Sequence, residues 1–363
     1  MLILPLPLFL SVSACPQAPA LPATPEAFAA AVGARKAWLG RAPGLEVWSD
    51  EDEGFKEVDE PARKAWTMAS EWIGGPLLPE DQVARVLVLH GEERLQAYFP
   101  LFVAECQRRH VPAPGADFVQ GVVRSGSGLW SNPPAVWING QILHKDDLAT
   151  RVVHDLGAIA ARFLTSPYGN QPPECLEEGF AGMLMRHALK KPTGLVSHQG
   201  AAQASTLHGY GVFAGIGAAS NDYSNHPASW PGILKQAVQK MRKEKELEPK
   251  SRVDQLLLRN ESEWARADYA YAWAVIEFLF DPLEPYGGVA ADPKFKRGAT
   301  PLAESRRSVT VAVLEQLREE FGGADAPARA ARMRELVLER SGETPEQLHA
   351  AFMRWVEAAM PKK

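Results

Sequence analysis

The chain has 363 residues, of which 46% are apolar and 23% charged, and its formal net charge is −5. That is the composition of a globular protein with a sizeable core, and mild acidity without a long basic run argues against nucleic acid as the main partner. No apolar run reaches the roughly 18 residues that a membrane-spanning helix needs.

The first fifteen residues, "MLILPLPLFLSVSAC", are a short apolar run, then small residues, then Cys15. They read as an export signal, residues 1–14 being removed. Val12-Ser13-Ala14-Cys15 has the form of a bacterial lipobox, in which Cys15 would carry a lipid, although cleavage after Ala14 alone would use the same small residues. Residues 15–27, with "PQAPALPATPEA" at 16–27, read as a Pro/Ala-rich, semi-rigid tether. The expected location is therefore the cell envelope, with the lipid at Cys15 as the one membrane contact. Of the other cysteines, Cys106 and Cys175 could pair in an oxidising compartment or lie apart as buried thiols.

Residues 44–145 read as a mixed α/β lobe with a small sheet. "LEVWS" (45–49), "ARVLVLH" (84–90), "DFVQGVVRSG" (117–126) and "PAVWING" (134–140) read as strands. "EPARKAWTMASEWIG" (60–74) places Ala65, Met68, Ala69 and Trp72 at helical spacing, and "EERLQAYFPLFVAEC" (92–106) reads as helix interrupted at Pro100. "RSGSGLW" (124–130) reads as a Gly/Ser turn. From 146 to 360 the pattern is helical, apart from a Gly/Ser/Asn/His-rich excursion over 192–232. Asp146 or Asp147 would cap the helix that follows, and "QPPECLEEGFAGMLMRHALKK" (171–191) is a second helix behind a proline pair. Further helices are expected at 232–246, 268–280, 308–322, 326–342 and 344–360, the last with a Thr344/Gln347 capping box. The fold class is α+β: a small-sheet lobe followed by a mainly helical one, together a single two-lobed domain over 44–360.

The chemistry concentrates in "RVVHDLGAIAARFL" (151–164), which nearly spells the zinc-protease helix His-Glu-x-x-His. Here the run is His154-Asp155-Leu156-Gly157-Ala158. On the next helix Pro173, Leu176, Glu178, Gly179 and Ala181 follow the order Pro-x-Trp-Leu-x-Glu-Gly-x-Ala, with Cys175 in place of Trp. Together the two segments resemble the zinc site of the gluzincin, or peptidase-MA-like, metallopeptidases and allied bacterial domains, over roughly residues 45–355. The resemblance implies a gluzincin-like fold with His154 and Glu178 as metal-ligand positions and Asp155 at the general-base position. Ala158 replaces the second histidine and cannot ligate. A catalytic zinc needs three protein ligands and a water, and an aspartate is one carbon shorter than the usual base. Small residues on both helices, including Gly179 and Gly182, would let them pack closely.

Candidates for a recruited third ligand are His187, His198, His208, His226 and Cys175, none marked by its spacing. Tyr269 and Tyr271 sit where gluzincin relatives place an oxyanion-stabilising tyrosine, but their apolar surroundings favour core packing. The leading expectation is an exported, catalytically inactive metallopeptidase-like protein with no cofactor, binding a peptide or protein in the former cleft. The alternatives are an atypical zinc-dependent hydrolase using Asp155 as base, and a structural envelope lipoprotein.

Overall fold

In the computed structural model, the structure describes residues 20–143, 145–189, 232, 234, 252–258, 266–291, 296–320 and 326–359. The first element is helix α1 (Pro25–Val32), which Thr24 caps by accepting a hydrogen bond from Ala27 N–H. Its Phe28 is buried against Trp48, ring centroids 4.9 Å apart, and Leu21 packs on the same cluster. The expected tether is therefore corrected over 20–27, residues 15–19 lying outside the described residues, and so is the expected start at 44. The chain is docked from Leu21 and helical from Pro25, because one aromatic anchor in the alanine run suffices to bury it.

Strands β1 (Trp38–Ala42) and β2 (Leu45–Ser49) form a hairpin whose tight turn needs Gly44 at φ +71°. Helix α2 (Asp52–Ile73) leads to β3 (Ala84–Leu89). Helix α3 (Glu92–Arg108) continues past Pro100, so the expected interruption does not occur. Next comes α4 (Ala116–Ser125), where a strand was expected. Phe118, Val119 and Val122 form one buried helical face, and Gly126 at φ +86° ends the helix. The expected Gly/Ser turn is mostly strand β4 (Ser127–Trp130), followed by β5 (Ala135–Asn139). Gly128 is there for space, since a Cβ would lie 2.6 Å from Val122 Cγ2.

The sheet order is β1-β2-β3-β5-β4, with β2, β3 and β5 parallel and both edge strands antiparallel. Register aligns Val47, Val86 and Val136 across the sheet. These valines and Ile138 face α2, whereas Trp48, Leu87, Leu89 and Trp137 face α1, α3 and α4. Trp137 is ringed edge-on by Tyr98, Phe102 and Phe118 at 5.2–5.9 Å.

The helical part begins with α5 (Lys145–Thr165), so Asp146 and Asp147 fall inside its first turn and not before it. After α6 (Glu174–Ala188) come α7 (Val253–Leu256), α8 (Arg266–Leu279), α9 (Gly287–Ala291), α10 (Arg306–Glu320), α11 (Ala326–Ser341) and α12 (Pro345–Ala359). Thr344 and Gln347 form the expected reciprocal capping box. The excursion at 192–232 and most of the expected helix at 232–246 lie outside the described residues. Helix α5 packs between α2 and α6, and α6 between α5 and α8, so the larger core runs unbroken from the sheet into the helices. No helix among the described residues is long and apolar enough to cross a membrane.

Candidate functional site

The site forms where α5 and α6 cross. Gly157 is the point of closest approach: a Cβ there would lie 2.5 Å from Ala181 Cα. One turn earlier on each helix stand His154 and Glu178, with His154 Nε2 3.3 Å from Glu178 Oε2. The glycine expected on α6 serves a different neighbour. Gly179 faces α8, where a Cβ would meet Ala272 O at 2.5 Å and Ile276 Cγ1 at 2.4 Å. Small residues thus bring three helices together, with the contact to α5 made by Gly157 rather than by Gly179.

Asp155 does not stand beside Glu178. Its Oδ1 is 3.0 Å from His154 Nδ1, at the opposite edge of the ring. Arg151, one turn earlier, places Nη1 3.8 Å from the same oxygen. The short aspartate therefore holds and orients the imidazole. Its Oδ2 is buried without a hydrogen bond among the described residues. Sequence reasoning missed this role, because an acid directly after a histidine in a helix gives no spacing signal.

Burial alone would lower the pKa of His154, but the carboxylates of Glu178 and Asp155 outweigh it and raise it to about 9. Each ring nitrogen faces one carboxylate, Nδ1 that of Asp155 and Nε2 that of Glu178. Arg151 and His154 stand against two carboxylates in a site almost closed to solvent: His154 and Asp155 are 1% exposed and Ala158 3%. Next to it, Arg162 donates to Glu177 Oε1 at 3.1 and 2.7 Å and to Ser131 Oγ at 2.7 Å. That clamp ties the start of α6 to α5 and to the β4–β5 turn.

Fit to a metal can be tested on these distances. Two ligands of one tetrahedral zinc, with bonds of about 2.0–2.1 Å, lie about 3.3–3.4 Å apart. His154 and Glu178 meet that spacing. Among the described residues the donor set falls one short of the three protein ligands that a catalytic zinc needs: Ala158 offers a methyl, and no group of three or more His, Cys, Asp or Glu that could hold a metal forms there. Comparison with protein-family models, curated proteins and solved structures finds no match. The chemistry of the site therefore rests on its own residues.

The other candidates lie elsewhere. His187 Nε2 is 3.0 Å from Glu277 Oε1 on α8, and its ring packs edge-on against Trp72. His198, His208 and His226 fall outside the described residues, as does the side chain of Tyr269. Tyr271 is partly buried against the core. Cys175 is buried on α6 and Cys106 on α3, on the other side of the sheet; neither is in a disulfide.

Proposed function

We propose that the protein is an exported, catalytically inactive relative of the gluzincin metallopeptidases that binds a peptide or protein at the former active-site cleft. One observation carries this reading: both ring nitrogens of His154 are engaged by carboxylates, Asp155 and Glu178, while the third ligand position holds Ala158. Asp155 bonded to Nδ1 supports inactivity, since it stands away from where a base would activate a metal-bound water.

The 3.3 Å ligand-like spacing favours the second reading, a zinc-dependent hydrolase completed by a third donor. The near-complete burial of His154, Asp155 and Ala158 favours a structural envelope lipoprotein with a filled cleft. Zinc titration by calorimetry, in wild type and variants, tests these readings. Inactivity predicts that wild type has no zinc binding that His154→Ala removes, and that Ala158→His creates such binding. Each added donor contributes on the order of several kcal/mol, so the gain should be some orders of magnitude in affinity. Stoichiometric, His154-dependent zinc in the wild type would overturn the reading and favour the hydrolase. Intact mass from the native host tests export: loss of residues 1–14 supports it, and a retained Met1 refutes it.

A further inference from the structure

A second imidazole is held as deliberately as His154, at the carboxyl ends of the parallel strands. Strand β2 hands on to α2 on one face of the sheet, and the neighbouring β3 hands on to α3 on the other face. Adjacent strands whose connections leave to opposite faces open a crevice, the usual place for ligands on such sheets. Asp50 follows β2 and His90 follows β3, so the pair spans that crevice.

The Asp50 side chain is fully buried and accepts from His90 N–H at 3.1 and 3.2 Å, from Arg94 Nη1 at 2.5 Å and from His90 Nδ1 at 2.7 Å. Donation from Nδ1 leaves Nε2 as the ring's acceptor nitrogen. Among the described residues Nε2 makes no hydrogen bond; Glu51 Oε2 is 3.7 Å away, beyond hydrogen-bonding range. Two glycines make room for the ring. A Cβ at Gly140 would fall 2.4–2.8 Å from Nε2, Cδ2 and Cε1, and one at Gly54 would fall 2.7 Å from Cε1. Gly54 lies in the first turns of α2, where glycine costs about 1 kcal/mol relative to alanine.

We propose that His90 Nε2 and the Glu51 carboxylate bind a divalent transition-metal ion of the zinc or nickel type, with Asp50 orienting the imidazole. A carboxylate on the far nitrogen is the arrangement that fixes a metal-binding histidine. Two ligands of a tetrahedral ion lie about 3.3–3.4 Å apart, and Glu51, half exposed, needs to move only a few tenths of an ångström. Two protein donors make a weaker site than the three-ligand centre of a zinc enzyme, and water completes the coordination. The crevice suits a cation: Arg94 is committed to Asp50, and Glu51, Glu53, Glu92 and Glu93 stand at the two helix starts. Each start contributes only about half a positive charge. This proposal is independent of the inactivity of the His154 site.

The test uses the full chain and zinc or nickel ion alone as the probe, with calorimetry for affinity and histidine-ring NMR for location. Wild type should bind one ion, with the His90 ring resonances shifting. His154→Ala should retain that binding, and His90→Ala should lose it. Asp50→Asn should weaken it about 10–100-fold. Because that change also removes bonds within the fold, Glu51→Gln, at a half-exposed position, serves as the milder variant and should weaken binding about tenfold. Gly140→Ala, which sets a methyl over the ring, should also lower affinity with both donors intact. No binding at millimolar metal, or binding unchanged in His90→Ala, would overturn the proposal. Zinc lost only in His154→Ala would overturn both this site and the inactive reading of the other.

Discussion

Replacing Gly157 by alanine separates helix propensity from helix packing, because the two predict opposite signs. Alanine in a helix interior is favoured over glycine by about 1 kcal/mol, so an isolated α5 would gain stability. In the fold, the new methyl would lie 2.5 Å from Ala181 Cα, 3.1 Å from its Cβ and 3.2 Å from its N. Ordinary carbon contacts are about 3.5–4.0 Å, so α5 and α6 must part by on the order of 1 Å. The obstruction is backbone, which no rotamer change relieves. Overpacking of this kind costs about 1–3 kcal/mol, and the upper end applies against main chain. Subtracting the propensity gain leaves a net loss of about 2 kcal/mol. The same parting would stretch the 3.3 Å bond between His154 and Glu178. Denaturant unfolding of wild type and Gly157→Ala measures the stability change, and His154 ring NMR reports the bond. A stabilised variant with an unchanged His154 signal would refute the close crossing of the two helices.

Three further outcomes follow from buried charge. His349 is buried with neither ring nitrogen hydrogen-bonded among the described residues, and burial, with Arg252, lowers its pKa. Its contribution to stability is present above the unfolded value of about 6.5 and is lost as pH falls through the lower folded value, so His349→Leu should flatten the acid limb of a pH–stability curve. Glu284 moves the other way: burial raises its pKa to about 7, so its contribution is present below about pH 4.5 and lost as pH rises through 7. Glu284→Gln should therefore stabilise at pH 8, by about 3 kcal/mol at most, and an unchanged midpoint there would contradict the shift. Arg306 and Glu343 form a fully buried bidentate pair at 2.9 and 2.7 Å. Arg306→Met should cost about 3–5 kcal/mol in chemical denaturation, and adding Glu343→Leu should recover much of it.

Long periodic helices and the apolar strands at 45–49, 84–89 and 135–139 were legible, because one face of each is buried continuously. The segment at 117–126 misled because three valines and a phenylalanine favour strand locally. What decides it is that Phe118 and Val122 lie one turn apart over Gly128 of β4. Gly128 suggested a turn for the same reason, since glycine that is small for packing looks like glycine that is free to bend. At the candidate site, the pairing of His154 with Glu178 was legible from two motifs in order. The role of Asp155 was not, because it depends on which edge of the imidazole the carboxylate meets. The Asp50–His90 pair was invisible, since forty residues separate partners that only the parallel pairing of β2 with β3 makes neighbours.

The placement of the two buried thiols gives the molecule a pair of internal clocks. Cys106 is on the buried face of α3, where burial pushes its pKa up to about 11, and Cys175 is on the buried face of α6. Each can react with a thiol reagent only when its own layer opens. Labelling rates at Cys106 would time the opening of the α1–α3–α4 side, and rates at Cys175 that of the helices behind the sheet. Equal rates would mean that the sheet transmits every opening from one side to the other. A faster Cys175 would locate the weaker seam among α5, α6 and α8, the helices that glycine brings together.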